Sequence, residues 1–133
     1  MCFKKIKKFH NQFYLVFRVL VGLMFFQHGA QKLLGWFGAE GTVPLFTMMG
    51  AAGTIELIGG LAIAIGLFTR VAALITSVMM LVAYFMIHAG NGLMPIVNQG
   101  ELALLYLAAF LILLIHGGQK WTLEEVLFKK ERF

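Results

Sequence analysis

Residues 50–89 read GAAGTIELIGGLAIAIGLFTRVAALITSVMMLVAYFMIHA, a stretch in which only Glu56 and Arg70 carry a fixed charge. Arg70 marks a short turn. The apolar runs on either side, 50–68 and 71–89, each come close to the roughly 20 residues that cross a hydrocarbon core of about 30 Å. Two bilayer spans joined by a tight turn follow from this pattern. Outward from the hairpin, 13–30 and 101–116 are similarly apolar, so the expected fold is an all-α, four-helix transmembrane bundle, the architecture that satisfies every backbone group internally. With 60% of its 133 residues apolar, the chain leaves no room for a sizeable soluble domain beside that bundle. The first run is followed by three more and lacks a small-residue cleavage site, which argues against a removed signal peptide.

The basic excess is confined to one side. Lys4, Lys5, Lys7 and Lys8 precede the first span, Arg70 lies in the turn, and Lys120, Lys129, Lys130 and Arg132 follow the fourth. By the positive-inside bias the protein is a multi-pass cell-membrane protein with both termini cytoplasmic, its basic flanks drawn to anionic lipid. No aromatic and basic interleaving accompanies these charges, so they do not read as a nucleic-acid surface. The single cysteine, Cys2, excludes a CxxC redox pair and an internal disulfide.

Three units are expected. Residues 1–12 form a cytoplasmic amphipathic segment, with Phe3, Ile6, His10 and Phe13 at helical spacing between lysines. Residues 13–118 are the membrane domain. Residues 119–133 form a cytoplasmic amphipathic tail opened by Thr122 and Glu125 at capping-box spacing, with Trp121 suited to the interface and Leu123, Val126 and Leu127 facing lipid. The two outer loops, one carrying Trp36, Phe37 and Phe46, the other the uncharged run 90–100, read as lids over the bundle mouth. Each hairpin repeats a His, Pro, Gly, Glu order: His28, Pro44, Gly53 and Glu56, then His88, Pro95, Gly100 and Glu101.

Charged groups at membrane depth are costly, and function is sought there first. Helical spacing gives one stripe per span: Arg18, Gly22, Phe25, Gly29 and Lys32; Ala52, Glu56, Gly60 and Ala64; Ser77, Leu81, Tyr84 and His88; Glu101, Leu105, Ala108 and Ile112. The intramembrane polar site is expected from Arg18, His28, Lys32, Glu56, His88 and Glu101, with Asn98 beside the outer members. Arg18 either pairs with Glu56 or snorkels to the inner headgroups. His28 and His88 share a depth, so axial haem ligation is geometrically open to them, yet two histidines without a third ligand do not define a metal site. Glu101 also fits a plain helix N-terminal acid. His116 reads as an interfacial residue and the methionines as core fillers.

The segments RVLVG (18–22), HGxQKL (28–33), ELIGGL (56–61), GLxTRxAA (66–73), NxGELALLY (98–106) and GxxWTL (118–123), taken in order, resemble the DoxX family of small four-span membrane proteins. The resemblance implies the four-span fold and a link to membrane-associated oxidoreductase systems, including subunits of thiosulfate:quinone oxidoreductase and partners of sulfur-handling or oxidative-stress proteins. Its charged motif falls on Arg18, His28, Lys32, Glu56 and Glu101. Fold transfers more safely than activity. The leading reading is a membrane subunit of a redox complex, offering a quinone-sized pocket and associating with redox proteins or with a second copy of itself. The other readings are a non-catalytic scaffold recruiting a cytoplasmic partner, and a small solute or proton transporter.

Overall fold

A computed structural model describes residues 5–129, all of whose regular structure is helical. Cys2, Phe3, Lys4, Lys130 and Arg132, used in the reading above, lie outside the described residues. A 3-10 turn, Lys7–Phe9, leads into α1 (His10–Leu34). α2 (Met48–Ile65) and α3 (Thr69–Ala83) follow, and α3 is prolonged by a π-helical turn, Tyr84–His88, and a 3-10 turn, Ala89–Asn91. The short α4 (Pro95–Asn98) precedes α5 (Glu101–His116), and α6 (Leu123–Phe128) closes the described chain. α1, α2 and the extended α3 are long and apolar enough to cross a membrane. α5, a shorter apolar helix of 16 residues, rises about 24 Å and completes the bundle.

Local chemistry sets the helix ends. Gly35 and Gly66 take left-handed backbone conformations, with φ of 68° and 71°, and so stop α1 and α2. Thr47 caps α2 by accepting from Gly50 N at 3.0 Å, and Thr122 caps α6 by accepting from Glu125 N at 3.0 Å. The last carbonyls of α5 are met from other helices: Arg70 donates to Leu114 O at 3.0 Å and Ile115 O at 2.7 Å.

α1 and α2 run antiparallel and make the closest helix pair. Gly22 lies on Gly60 and Ala64, and Gly29 lies on Gly53 and Leu57; a methyl group on either α1 glycine would overlap α2 backbone. Small residues at this spacing let helices approach closely in lipid, where dispersion replaces the hydrophobic effect between them. The remaining interior is aromatic. Phe25 of α1 meets Phe110 of α5 edge-on at 4.7 Å between ring centroids and Tyr106 at 5.1 Å. Ile63, Met80 and Leu113 fill around them.

On three helices the expected stripes match the buried faces: Arg18, Gly22, Phe25 and Gly29; Glu56, Gly60 and Ala64; Ser77 and Tyr84. Leu81 is exposed. The stripe drawn on the fourth span is corrected. Glu101, Leu105, Ala108 and Ile112 are exposed, and α5 instead buries Ala103, Tyr106, Phe110 and Leu113. Glu101 is the first residue of α5, where the helix dipole favours a carboxylate without any burial.

The loops hold the mouth of the bundle differently. The first turns back onto the helix ends through Val43 N to Lys32 O at 2.9 Å, but Trp36, Phe37 and Phe46 point outward. The second is tied down: Asn98 donates to Gly92 O at 2.7 Å and accepts from Gly100 N at 2.8 Å, while Tyr84 OH donates to Leu93 O at 2.9 Å.

Candidate functional site

Polar side chains from three of the long helices meet near the loop end. There a cavity of about 220 Å³ is lined by His28 and Lys32 of α1, Glu56 of α2 and Tyr106 of α5, with His88 from the turn that prolongs α3. Apart from Gln99 the rest of its lining is apolar, with Phe25, Met49, Met79 and Met80 among it.

Glu56 is the anchor. It is 4% exposed, and its Oε1 accepts a 2.5 Å charge-assisted bond from Lys32 Nζ. Gly53 brings this about: with no side chain there, Lys32 Cβ settles one turn from Glu56, and the stem delivers the ammonium to the carboxylate. The expected Arg18–Glu56 pair is therefore corrected. The antiparallel glycine register sets Arg18 opposite the end of α2, several turns from Glu56. Snorkelling is corrected too, because Arg18 is 1% exposed. Its guanidinium donates to Gly118 O, to Trp121 O at 2.9 Å and to Lys120 O at 3.3 Å, so it clamps the segment that follows α5.

Two atoms in the cavity have no hydrogen-bond partner among the described residues: Glu56 Oε2 and Tyr106 OH, both buried. A buried polar atom left unsatisfied costs about 1–3 kcal/mol, more when it is charged. Both belong to residues that line the same cavity, the only pair of this kind in it among the described residues. Tyr106 is also where the helices join around the site. Its ring touches Phe25, stands perpendicular to His28 at 5.8 Å and lines a second, more polar pocket with Gln27, Gln31 and Phe37. Sequence reading missed this tyrosine; the signal was the E-L-A-L-L-Y spacing, which places Tyr106 five residues, well over a turn, below the exposed Glu101.

His88 has one ring nitrogen engaged, Nδ1 lying 3.0 Å from Asn98 O, and its other side faces the cavity. The π-helical turn that carries it is a rare distortion, found mostly as single turns and frequently at functional sites. Of the six residues expected to form the site, the structure brings together His28, Lys32, Glu56 and His88 and leaves two apart: Arg18 at the terminal end, and Glu101, exposed at the start of α5. Asn98 braces the second loop beside them. His116 is exposed at the opposite end, its ring 6.2 Å from that of Tyr14. Among the described residues no three His, Cys, Asp or Glu side chains are grouped as a metal site would require.

The DoxX family profile matches residues 13–89. A Haemophilus influenzae relative described as "Uncharacterized protein" is 40% identical over 94% of this chain and 98% of its own length. "Inner membrane protein YqjF" of Escherichia coli is 31% identical over 94% of this chain and 99% of its own. "Putative oxidoreductase CatD" of Bacillus subtilis is 28% identical over 89% of both chains. No solved structure matches.

Proposed function

The chain belongs to the DoxX family, and from that premise we propose that it is the membrane subunit of a redox system, holding a quinone-type molecule in the cavity between Glu56 and Tyr106. One observation carries this reading: Glu56 Oε2 and Tyr106 OH are buried and unsatisfied among the described residues, and both residues line one largely apolar cavity. A few placed polar groups in an apolar cleft is the usual make-up of a small-molecule site. The name borne by the Bacillus relative agrees with a redox role.

A quinone carries electrons together with protons through the bilayer, and its oxygens need one donor and, once reduced, one acceptor. Tyr106 OH donates to a carbonyl. Glu56 Oε2 would accept from a hydroxyl and take up its proton, while Lys32 holds Oε1 in place. His28, packed against Tyr106 between the cavity and the Gln27–Gln31 pocket, passes the proton toward the loop end. The electrons are exchanged with a redox partner that docks at the loop end of the bundle, on the side of the cavity.

The test is extraction. Protein purified in mild detergent is expected to retain a quinone identified by mass spectrometry of its organic extract, and Glu56→Gln and Tyr106→Phe are each expected to lose it at unchanged membrane levels. His116→Ala is expected to retain it. Wild-type protein that is free of extractable quinone and does not bind added quinone refutes the reading.

A further inference from the structure

The polar cavity does not end at its own walls. Met49, Ala52, Met79, Ala83 and Ile87 also line a groove of about 250 Å³ between α2 and α3, open on the outside of the bundle. Ile55 joins that groove to another of about 350 Å³ lower on the same seam, running down to Leu67 and Phe68. The two helices close tightly at one level, where a methyl on Gly59 would stand 2.8 Å from Thr76 Cγ2. Gly59 and Thr76 form the floor of the lower groove, and Ile55 borders both grooves, so the two adjoin along the outer side of the seam as one furrow.

The chemistry of the furrow is opposite to that of the cavity. In its lower part the only side-chain polar atoms are the hydroxyls of Thr54 and Thr76, and both are already used, on Gly50 O at 2.9 Å and Ala72 O at 2.9 Å. The upper part has none; methionine and aliphatic side chains line it. The cavity thus keeps Glu56 Oε2 and Tyr106 OH open, whereas both side-chain hydroxyls of the furrow are engaged. From Met48 to Ala62 the furrow follows α2 for about 21 Å, roughly two-thirds of a hydrocarbon core. At about 220 Å³ the cavity alone falls short of the roughly 300–1,000 Å³ of small-molecule sites, and with the adjoining groove it reaches that range.

We propose that the α2–α3 furrow is the binding site for the apolar chain of the molecule whose polar head sits at Glu56 and Tyr106, and that this molecule enters sideways from the bilayer between Met49 and Met79. The ligand class is a single-chain amphiphile with a compact polar head. Methionine suits the gateway, because an unbranched thioether side chain repacks around a passing ring at little cost. The inference rests on the cavity being a ligand site, as read above.

The test uses two probes, a dimethoxy-methyl-benzoquinone ring with a decyl chain and the same ring without it, titrated into the full-length protein in nanodiscs. Partitioning of the decyl chain into the bilayer raises its apparent affinity equally for every variant, so the comparison is made across variants. Ile55→Trp on α2 and Val82→Trp on α3 fill the furrow from opposite sides, at positions that do not line the Glu56–Tyr106 cavity. Each is expected to weaken the decyl probe about tenfold, the equivalent of two buried methylenes, and to leave the bare ring unchanged. Equal affinities in wild type and both variants would make the furrow ordinary lipid-facing surface and overturn the inference, with the cavity reading intact. Parallel loss of both probes would also overturn it, because the bulk would then be closing the cavity itself. If wild type binds neither probe, the cavity reading falls and the furrow assignment falls with it.

Discussion

Lys32 and Glu56 form an ion pair across the α1–α2 seam, Nζ 2.5 Å from Oε1, in a register fixed where Gly29 lies against Gly53. The pair is asymmetric: the carboxylate is buried, whereas 27% of the lysine side-chain surface remains exposed.

That asymmetry makes the two single substitutions unequal. Lys32→Met strands a buried carboxylate, which costs about 3–5 kcal/mol in a fully buried pair and less here because the lysine site admits water. Glu56→Gln leaves an ammonium that can turn to the exposed side, so its melting temperature in detergent is expected to fall less. The double variant is expected to recover part of the Lys32→Met loss. Strict additivity of the three values would show that the pair does not couple.

The seam itself is tested by adding one methyl group. Gly29→Ala would overlap Leu57 N, a backbone atom that moves only if the helices separate. The expected cost is about 1–3 kcal/mol, the usual range for overpacking. Gly90→Ala meets nothing within 4 Å and serves as the neutral control. A Gly29→Ala protein melting with wild type would mean that α1 and α2 are not in contact at this level.

The glycines also explain what the sequence did and did not reveal. Four spans were legible from apolar run length, and the α1 stripe from Arg18 to Gly29 was legible from spacing, because charge and glycine break the apolar monotony there. α5 offers no such contrast. Almost uniformly apolar, it carries its only charged residue at its first position, where a carboxylate indicates the helix end and not the interior face. Depth counting likewise put Arg18 within reach of Glu56, because depth says nothing of lateral register. Gly22 and Gly29 on one helix and Gly53 and Gly60 on the other, seven residues apart in each, held that register all along, and read antiparallel they set Lys32 beside Glu56. The cavity's second polar anchor, Tyr106, stayed hidden because an aromatic in an apolar span resembles core until its hydroxyl is seen without a partner.

Arg18 supports a different prediction from the one its charge first suggested. Its guanidinium is shared among three backbone carbonyls of residues 118–121, and Tyr14 OH adds a 2.7 Å bond to Gly117 O. Charged hydrogen bonds contribute about 1.5–3 kcal/mol each, and lysine cannot reproduce a forked donor. Arg18→Lys and Arg18→Gln are therefore both expected to loosen the segment carrying α6. Limited trypsin digestion in detergent, followed by mass spectrometry, should show faster cleavage after Lys120 in both variants. Cleavage at the wild-type rate would mean that the clamp is not what holds the segment down.

Orientation in the membrane follows from where the bundle gathers its charge. The tight turn at Arg70 and the segment after α5 lie at one end, joined by the Arg70 bonds to Leu114 and Ile115, and that end bears most of the basic residues. The opposite end carries the two loops, in which Glu40 is the only charged residue between the ends of their helices. The positive-inside bias predicts that the Arg70 end faces the cytoplasm. Reporters inserted beside Arg70 and fused after Phe133 are expected to read cytoplasmic, and reporters near Glu40 and Asn91 to read outside. Because the ends of the four long helices alternate, one reversed signal would contradict the bundle and four reversed signals only its orientation. Full inversion would place the Glu56 cavity nearer the cytoplasmic leaflet, and the partner that exchanges electrons with it would then be sought on the cytoplasmic side.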